Sequence, residues 1–149
     1  MKGLTRAVAE DRERVELFQK AAYARTEAVI GAQAIPLEWD YGAILQECEV
    51  WLYSAGARLE GVLILRLLEK ELFLESIATD PNSSGSGLGR MLMDATFERA
   101  RALQRGRVAL MTNSRNPAAG WYKKLGFVVD SEEAQEHRMV LHMSASAMD

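Results

Sequence analysis

The sequence of 149 residues contains one cysteine, three prolines and two histidines. A lone cysteine, Cys48, excludes an internal disulfide and a cysteine metal cluster, and we expect no bound metal. No apolar run approaches the roughly 20 residues that a membrane-spanning helix needs, and the first residues lack the apolar segment of a secretion signal. We therefore expect a cytoplasmic protein without a membrane partner.

The sequence does contain enough apolar material for one core. Hydrophobic residues make up 48% of the chain, and its length is typical of one domain. We predict a single domain over residues 1–149, with a frayed tail at 144–149. The predicted order is strand, two helices, three strands, helix, strand, helix and two strands, which indicates an α+β (mixed α/β) fold.

Hydrophobic periodicity, together with glycine and proline breaks, predicts the individual elements. Predicted strands lie at 4–8, 50–53, 61–67, 72–78, 107–112, 127–129 and 137–143, and an acidic loop at 130–136 joins the last two. Predicted helices lie at 11–30, with Gly31 as a stop, at 38–47 after Pro36, at 86–106, and from Pro117 to Gly126.

The net charge of −3 is unevenly distributed. Residues 81–127 carry two acidic and eight basic side chains, whereas the segments on either side are acidic. This basic segment favours a small polyanion as ligand, although its arginines could equally be the solvated surface of a helix. Because the whole chain is acidic and has no aromatic and basic surface motif, we expect no nucleic-acid partner.

Residues 77–92 read IATDPNSSGSGLGRML, which predicts a strand, a glycine-rich turn and a helix. Such a turn aims backbone N–H groups and the positive end of a helix dipole at one point, and so favours a phosphate-bearing ligand. Its three alternate glycines let a ligand approach the backbone. The next residues, Arg90 and Met91, exclude a nucleotide P-loop, and the glycine spacing excludes a dinucleotide-binding fingerprint.

A second motif follows at residues 116–127, which read NPAAGWYKKLGF and place Tyr122 on the short predicted helix. Together the two motifs resemble the GNAT superfamily of N-acetyltransferases, over residues 72–127. The resemblance implies a mostly antiparallel, twisted sheet of about seven strands flanked by four helices. It also implies acetyl transfer from acetyl-CoA to a primary amine of a small molecule or peptide, and it suggests a homodimer.

The resemblance further implies roles for individual residues. Backbone groups of Ile77 and Thr79 would pair with the pantetheine arm, and Tyr122 would be the general acid, with a core-packing tyrosine as the alternative. Asn116 would hydrogen-bond the pantetheine, although it is equally a helix N-cap, and Asn113 is an alternative donor. The residues that would hold the pyrophosphate are Ser84, Gly85, Ser86, Gly87, Leu88, Gly89 and Arg90.

Two positions depart from the family pattern. Ser84 stands where the family usually has glutamine or arginine, and Asn116 lies one residue closer to Tyr122 than is common. These departures keep a second function open, namely a catalytically inactive acyl-CoA-binding sensor or regulatory module with the same fold.

Glu75 is the candidate general base, because it lies in the strand that leads into the glycine turn. It precedes Ile77 by two residues, so strand alternation predicts both side chains on the same face. A carboxylate with an ordinary pKa near 4.3 is a weak base unless burial raises that pKa or water relays the proton. The alternative is a carboxylate that faces solvent or pairs with an arginine.

Aromatic and acidic residues near the second helix could frame a pocket for a cationic amine, or could be core aromatics and solvated acids. These residues are Trp39, Tyr41, Trp51 and Tyr53, with Glu38, Asp40, Glu47 and Glu49. Neither His137 nor His142 has a partner at metal-ligand spacing, and Cys48 is expected to be a small buried residue.

Overall fold

The computed structural model describes residues 1–30, 39–83, 85–135 and 138–148, with the backbone alone at 25–30. Within these residues, one sheet of seven strands is flanked by four α-helices. The strands are β1 (Thr5–Arg6), β2 (Glu49–Ala55), β3 (Arg58–Leu67), β4 (Leu72–Thr79), β5 (Arg107–Asn113), β6 (Val128–Gln135) and β7 (Arg138–Ser146). The helices are α1 (Arg12–Ile30), α2 (Tyr41–Glu47), α3 (Leu88–Ala102) and α4 (Ala118–Lys124). The predicted mixed α+β fold is confirmed.

The strand order in the sheet is β1-β2-β3-β4-β5-β7-β6. Neighbouring strands are antiparallel except β4 and β5, which are parallel because α3 carries the chain back across the sheet between them. None of the helices in the described ranges is long and apolar enough to cross a membrane.

Each face of the sheet has its own apolar core. On the α3–α4 face, Leu63 and Leu65 of β3 pack with residues of α3 and α4. On the α1–α2 face, Val62 and Ile64 of the same strand pack with residues of α1 and α2. Because both faces are covered, this central strand is a continuous apolar run in the sequence.

Two predictions near the C-terminal end were wrong. Residues 130–136 were predicted as a loop, yet β6 covers them as far as residue 135. The tail predicted to fray from Ser144 instead continues β7, and the buried Ala147 donates its N–H to the Gly106 carbonyl. The acidic side chains of an exposed edge strand hid the strand signal, since such charges are typical of sheet edges.

Several element boundaries also differ from the predicted ones. The first strand is reduced to Thr5–Arg6. Helix α2 begins at Tyr41, because the Asp40 carboxylate caps it by accepting hydrogen bonds from the N–H groups of Gly42 and Ala43. Predicted features at Gly31, Pro36, Glu38, Ser84, Glu136, His137 and Asp149 lie outside the described residues.

Candidate active site

The sheet opens between its two parallel strands. β4 pairs with β5 only from Leu72 to Leu74, while its other side stays paired with β3 as far as Thr79. Beyond Leu74, no strand in the described part of the chain pairs with the β4 edge that faces β5. We call this gap the β4–β5 opening; it is bounded by residues 76–79 of β4 and 111–113 of β5.

The glycine turn follows at the end of β4. Gly85 and Gly87 have φ angles of +82° and +83°, a region that other residues rarely adopt, and a Cβ on either would meet nothing within 4 Å. The space in front of both glycines is therefore open to a ligand. Asp80 fixes the start of the turn, because its carboxylate accepts a hydrogen bond from the Asn82 N–H at 2.8 Å and pairs with Arg58.

Four backbone N–H groups of this turn donate to no oxygen atom of the described residues. They belong to Gly85, Gly87, Gly89 and Arg90. The intervening Leu88 N–H donates to the Ser86 hydroxyl at 3.3 Å, and the predicted contact from Ser84 lies outside the described residues. N–H groups without a partner at the start of a helix attract anions, so the arrangement of the described residues of this turn suits an anion.

Tyr122 lies on α4, on the α3–α4 face of the sheet. Its ring packs against Trp121 and Phe127, with centroid distances of 5.5 and 5.8 Å. Among the described residues, none is hydrogen-bonded to its hydroxyl. Burial raises the pKa of Tyr122, and the neighbouring Tyr23 raises it further. The phenol therefore stays protonated at neutral pH, so in a proton transfer it would be the acid and not the base.

Glu75 and Ile77 do not share a face of the sheet, and the prediction that they do was wrong. The register between β3 and β4 skips Glu75, which is the extra residue of a β-bulge. Ile77 packs on the α3–α4 face. The Glu75 carboxylate instead lies 3.9 Å from Arg66, which also binds Glu47 of α2. A bulge shifts the alternation of side chains by one residue, which defeats the predicted pattern.

Burial raises the pKa of Glu75, and the charge of Arg66 lowers it only in part. The contact with Arg66 is the arginine pairing that the alternative interpretation predicts, but 3.9 Å is too long for a hydrogen bond. A carboxylate with a raised pKa and few hydrogen-bond donors is a stronger base than an ordinary one.

Three polar residues next to the opening were missed from the sequence. Gln19 of α1 donates from Nε2 to the Ser76 hydroxyl at 2.9 Å. The Tyr23 hydroxyl lies 2.8 Å from the same Ser76 oxygen and 3.5 Å from the Ile77 carbonyl oxygen. The available signal was a pair of polar residues four positions apart on the apolar face of α1, a spacing that puts both side chains on one side of a helix.

Gln19 is 0% exposed, and its Oε1 atom accepts no hydrogen bond from a described residue. A buried acceptor left unpaired costs about 1–3 kcal/mol, so such a group calls for an explanation. The polar contact of this amide with β4 is therefore made by Nε2, through Ser76, and not by the oxygen.

Asn113 and Asn116 both use their side-chain oxygens locally. Asn113 Oδ1 accepts from the Arg115 N–H at 2.9 Å, and Asn116 Oδ1 accepts from the Ala118 N–H at 2.9 Å. The helix-capping alternative for Asn116 therefore describes its oxygen. Only the side-chain nitrogens of the two residues remain for a ligand.

The residues suggested for an acceptor pocket do not form one site. Trp39 and Tyr41 pack on the α1–α2 face, whereas Trp51 and Tyr53 pack on the α3–α4 face. Cys48 is buried, and burial raises the pKa of its thiol to about 11, so the thiol is protonated at neutral pH. No group of metal-ligating side chains occurs in the described ranges.

Much of the basic segment holds the fold together. Arg99 donates twice to Glu49, at 2.9 and 2.8 Å, and Arg107 donates twice to Glu71, at 3.1 and 2.9 Å. Arg105 donates to two backbone carbonyls. The charge of residues 81–127 is therefore only partly available to a polyanionic ligand.

Solved structures share this fold at low sequence identity. The ribosomal-protein-S18-alanine N-acetyltransferase from Escherichia coli is 16% identical, with 98% of this chain and 94% of that chain covered and a TM-score of 0.79. The PaiA N-acetyltransferase from Thermoplasma acidophilum, solved in complex with coenzyme A, is 14% identical, with coverages of 96% and 97% and a TM-score of 0.79. Nourseothricin acetyltransferase is 24% identical; the alignment covers 68% of this chain and 66% of that chain, with a TM-score of 0.62.

A search of curated protein sequences finds no match. A family model does match: the acetyltransferase (GNAT) domain covers residues 46–129, more than half of the chain. The matched segment contains β4 with its bulge, the glycine turn, β5 and Tyr122. The chain therefore belongs to the GNAT acetyltransferase family.

Proposed function

We propose that this protein is an acetyl-CoA-dependent N-acetyltransferase that transfers the acetyl group directly to a primary amine of a small molecule or peptide. The β4–β5 opening carries the proposal, because an unpaired strand edge leads there into an anion site. The free edge at Ile77 and Thr79 suits the amide groups of the pantetheine arm, and the N–H groups of the glycine turn suit the diphosphate.

The activity of one fold neighbour and the bound ligand of another support this proposal. The Escherichia coli protein is an N-acetyltransferase for an alanine, and the Thermoplasma acidophilum protein was solved with coenzyme A. We extend a CoA ligand and an amine acceptor to this chain because its opening offers the matching backbone groups.

Glu75 is proposed to accept the proton that the amine must lose. An alkylammonium has a pKa near 10.4, so making it neutral at pH 7 costs about 4.6 kcal/mol. Burial raises the pKa of Glu75, which reduces the difference between the pKa of this base and that of the ammonium group. The bulge turns this carboxylate toward α2, and we propose that the acceptor enters from the α1–α2 face.

Tyr122 is proposed to protonate the departing thiolate from the other face of the sheet. An ordinary phenol has a pKa near 10 and an ordinary thiol one near 8.5, and burial widens this gap by raising the pKa of Tyr122. The same apolar surroundings raise the pKa of a thiol that leaves there, so the two shifts offset each other. We therefore propose that Tyr122 transfers its proton to the sulfur while the C–S bond breaks.

The test measures binding and turnover separately. We expect CoA to bind, with heat detected by calorimetry, and acetyl-CoA to release thiol with at least one member of a panel of polyamines, amino sugars and peptides with free N-termini. Binding without thiol release across the panel would replace the proposal with the sensor function. No binding of CoA or acetyl-CoA would overturn both.

A pair of glycine variants shows whether the turn is the binding site. Gly87→Glu puts a bulky anion in front of the free N–H groups, and we expect it to abolish CoA binding. Gly56→Glu is the matched control, because Gly56 also has a positive φ, +63°, and open space at its Cβ, but lies in the turn between β2 and β3. Equal loss of CoA binding in both variants would contradict the assignment.

A further inference from the structure

We propose that Tyr23 is a second phenol at the reaction centre, where its hydroxyl donates a hydrogen bond to the acetyl carbonyl oxygen, and that Gln19 and Ser76 orient it. The inference rests on the proposed acetyl transfer. Tyr23 comes from α1, on the opposite face of the sheet from Tyr122, and its hydroxyl reaches β4 at the unpaired edge, 2.8 Å from Ser76 Oγ and 3.5 Å from the Ile77 carbonyl oxygen.

The direction of the hydrogen bonds follows from the buried amide. Gln19 Nε2 carries only protons, so it donates to Ser76 Oγ. Ser76 is 3% exposed, and its own proton needs an acceptor. The Tyr23 oxygen, 2.8 Å away, is an acceptor within reach of that proton. Ser76 therefore donates to Tyr23, and the Tyr23 proton faces the unpaired edge of β4, where its acceptor is the Ile77 carbonyl oxygen at 3.5 Å. A hydrogen bond of this length is weak, and a thioester carbonyl in the opening would replace it.

The reverse direction leaves groups unsatisfied. If Tyr23 donated to Ser76, the Ser76 proton would be buried without an acceptor, which is unfavourable. Turning the Gln19 amide around would supply that acceptor but would bury both protons of Nε2, and unpaired buried N–H groups are rarer than unpaired carbonyls.

The two phenols act on different atoms of the thioester. The amine nitrogen forms a bond to the acetyl carbon, and the carbonyl π pair moves onto oxygen, where the Tyr23 O–H stabilises the charge. The pair then re-forms the carbonyl as the C–S bond breaks, and sulfur keeps the bonding pair and takes a proton from Tyr122. Glu75 accepts the ammonium proton before the attack and passes it to solvent. The nitrogen of the tetrahedral intermediate then loses its second proton by the same route, and Tyr122 regains one proton from solvent, so one proton is released for each acetyl group transferred.

Tyr23 is suited to donation and not to accepting a proton. Burial raises its pKa above the ordinary value, and the Ser76 hydrogen bond offsets only part of that rise. A neutral donor that is already oriented needs no rearrangement when charge develops.

The experiment compares Tyr23→Phe with wild type in thiol release from acetyl-CoA, with the most active amine of the panel and with water as the only acceptor. Removing one oxyanion donor is expected to lower kcat by about 10²–10³-fold. Because the ring stays in place, the KM for acetyl-CoA, the calorimetric affinity for CoA and the melting temperature are expected to stay unchanged. Tyr53→Phe, which removes a phenol from β2, is the matched control and is expected to keep full activity.

Ser76→Ala provides an independent variant, which carries the test if Tyr23→Phe does not fold. It keeps the phenol but removes its orienting partner, and we expect kcat to fall by about tenfold, the effect of one lost hydrogen bond, with KM unchanged. Wild-type kcat in Tyr23→Phe, or a loss matched by an equal loss of CoA affinity, would overturn the inference. A wild-type protein that binds CoA but acetylates no amine would instead overturn the proposed function, and the inference with it.

Discussion

Two glutamates in neighbouring parts of the sheet are almost equally buried and have opposite electrostatic character. The Glu49 side chain is 13% exposed and the Glu75 side chain 16%. Glu49 accepts two hydrogen bonds from Arg99, at 2.8 and 2.9 Å, and one from Trp51 at 3.0 Å. Among the described basic side chains, Arg66 is the one within 4.0 Å of the Glu75 carboxylate, at 3.9 Å.

The pKa values follow the hydrogen bonds and not the burial. Burial acts to raise the pKa of Glu49, but the hydrogen bonds from Arg99 and Trp51 outweigh it, and the pKa is lowered. For Glu75, burial outweighs the charge of Arg66, and the pKa is raised. The hydrogen bonds therefore favour the ionised form of Glu49, which ties α3 to β2, whereas burial favours the protonated form of Glu75.

Glu75→Gln is expected to have the largest effect of the variants that separate the two glutamates. The amide keeps the shape but cannot accept a proton, so kcat is expected to fall by about 10²–10⁴-fold while the affinity for CoA stays unchanged. Steady-state kinetics and calorimetry check this. Glu47→Gln is the control, because Glu47 contacts the same Arg66 but is 58% exposed. An unchanged kcat in Glu75→Gln would exclude Glu75 as the base.

Glu49→Gln is expected to have the converse effect. It leaves the Arg99 guanidinium without its carboxylate, and we expect the free energy of unfolding to fall by about 1–3 kcal/mol, with kcat unchanged at a temperature where the variant is folded. Chemical denaturation measures the free energy of unfolding, and thiol release from acetyl-CoA measures kcat. When Arg99→Met is already present, Glu49→Gln should destabilise the protein much less. An equally large destabilisation would show that the ion pair is not its cause.

The pH dependence of stability is expected to have opposite signs at the two sites. For Glu49, whose folded pKa is lowered, the stabilisation is present above the ordinary value of 4.5 and is lost as the pH falls through the folded pKa. For Glu75, whose folded pKa is raised, the favourable contribution is present below 4.5 and is lost as the pH rises through the folded pKa. Denaturation of each glutamine variant against wild type, from pH 3 to pH 8, should show differences that change in opposite directions.

Arg66→Met is expected to have the smallest effect. It removes the charge that lowers the pKa of Glu75, so the acid side of the kcat profile should move to higher pH. Partly exposed pairs contribute about 0.2–1 kcal/mol, and we expect at most about a fivefold loss of kcat on the acid side. Arg107→Met, which breaks the pair with Glu71, should leave the profile in place. If the acid side of the kcat profile of Arg66→Met moved to lower pH, Arg66 would not be lowering the pKa of Glu75.

The predicted fold followed from patterns that are local in sequence. The apolar run of β3, the periodicity of α3 and the glycine turn each depend on neighbouring residues, and the structure contains all three. The acidic β6 was mistaken for a loop because solvent, and not the core, dictates its side chains.

The site was less predictable, because its key features are not local. A bulge at Glu75 leaves no mark in the hydrophobic pattern, yet it reverses the face of every later residue in β4. The Gln19–Ser76 and Tyr23–Ser76 contacts join residues that are 57 and 53 positions apart. Such contacts depend on how α1 lies on the sheet, which no single segment specifies.

The unpaired edge of β4 also bears on solubility. A strand edge that offers free N–H and C=O groups normally recruits strands from other molecules and promotes aggregation. Here that edge lies in the middle of the sheet, between β4 and β5, and the Tyr23 side chain of α1 reaches it from one face. A narrow, extended ligand can therefore reach the free N–H and C=O groups of this edge. A strand of another protein molecule cannot, because the edge lies inside the sheet.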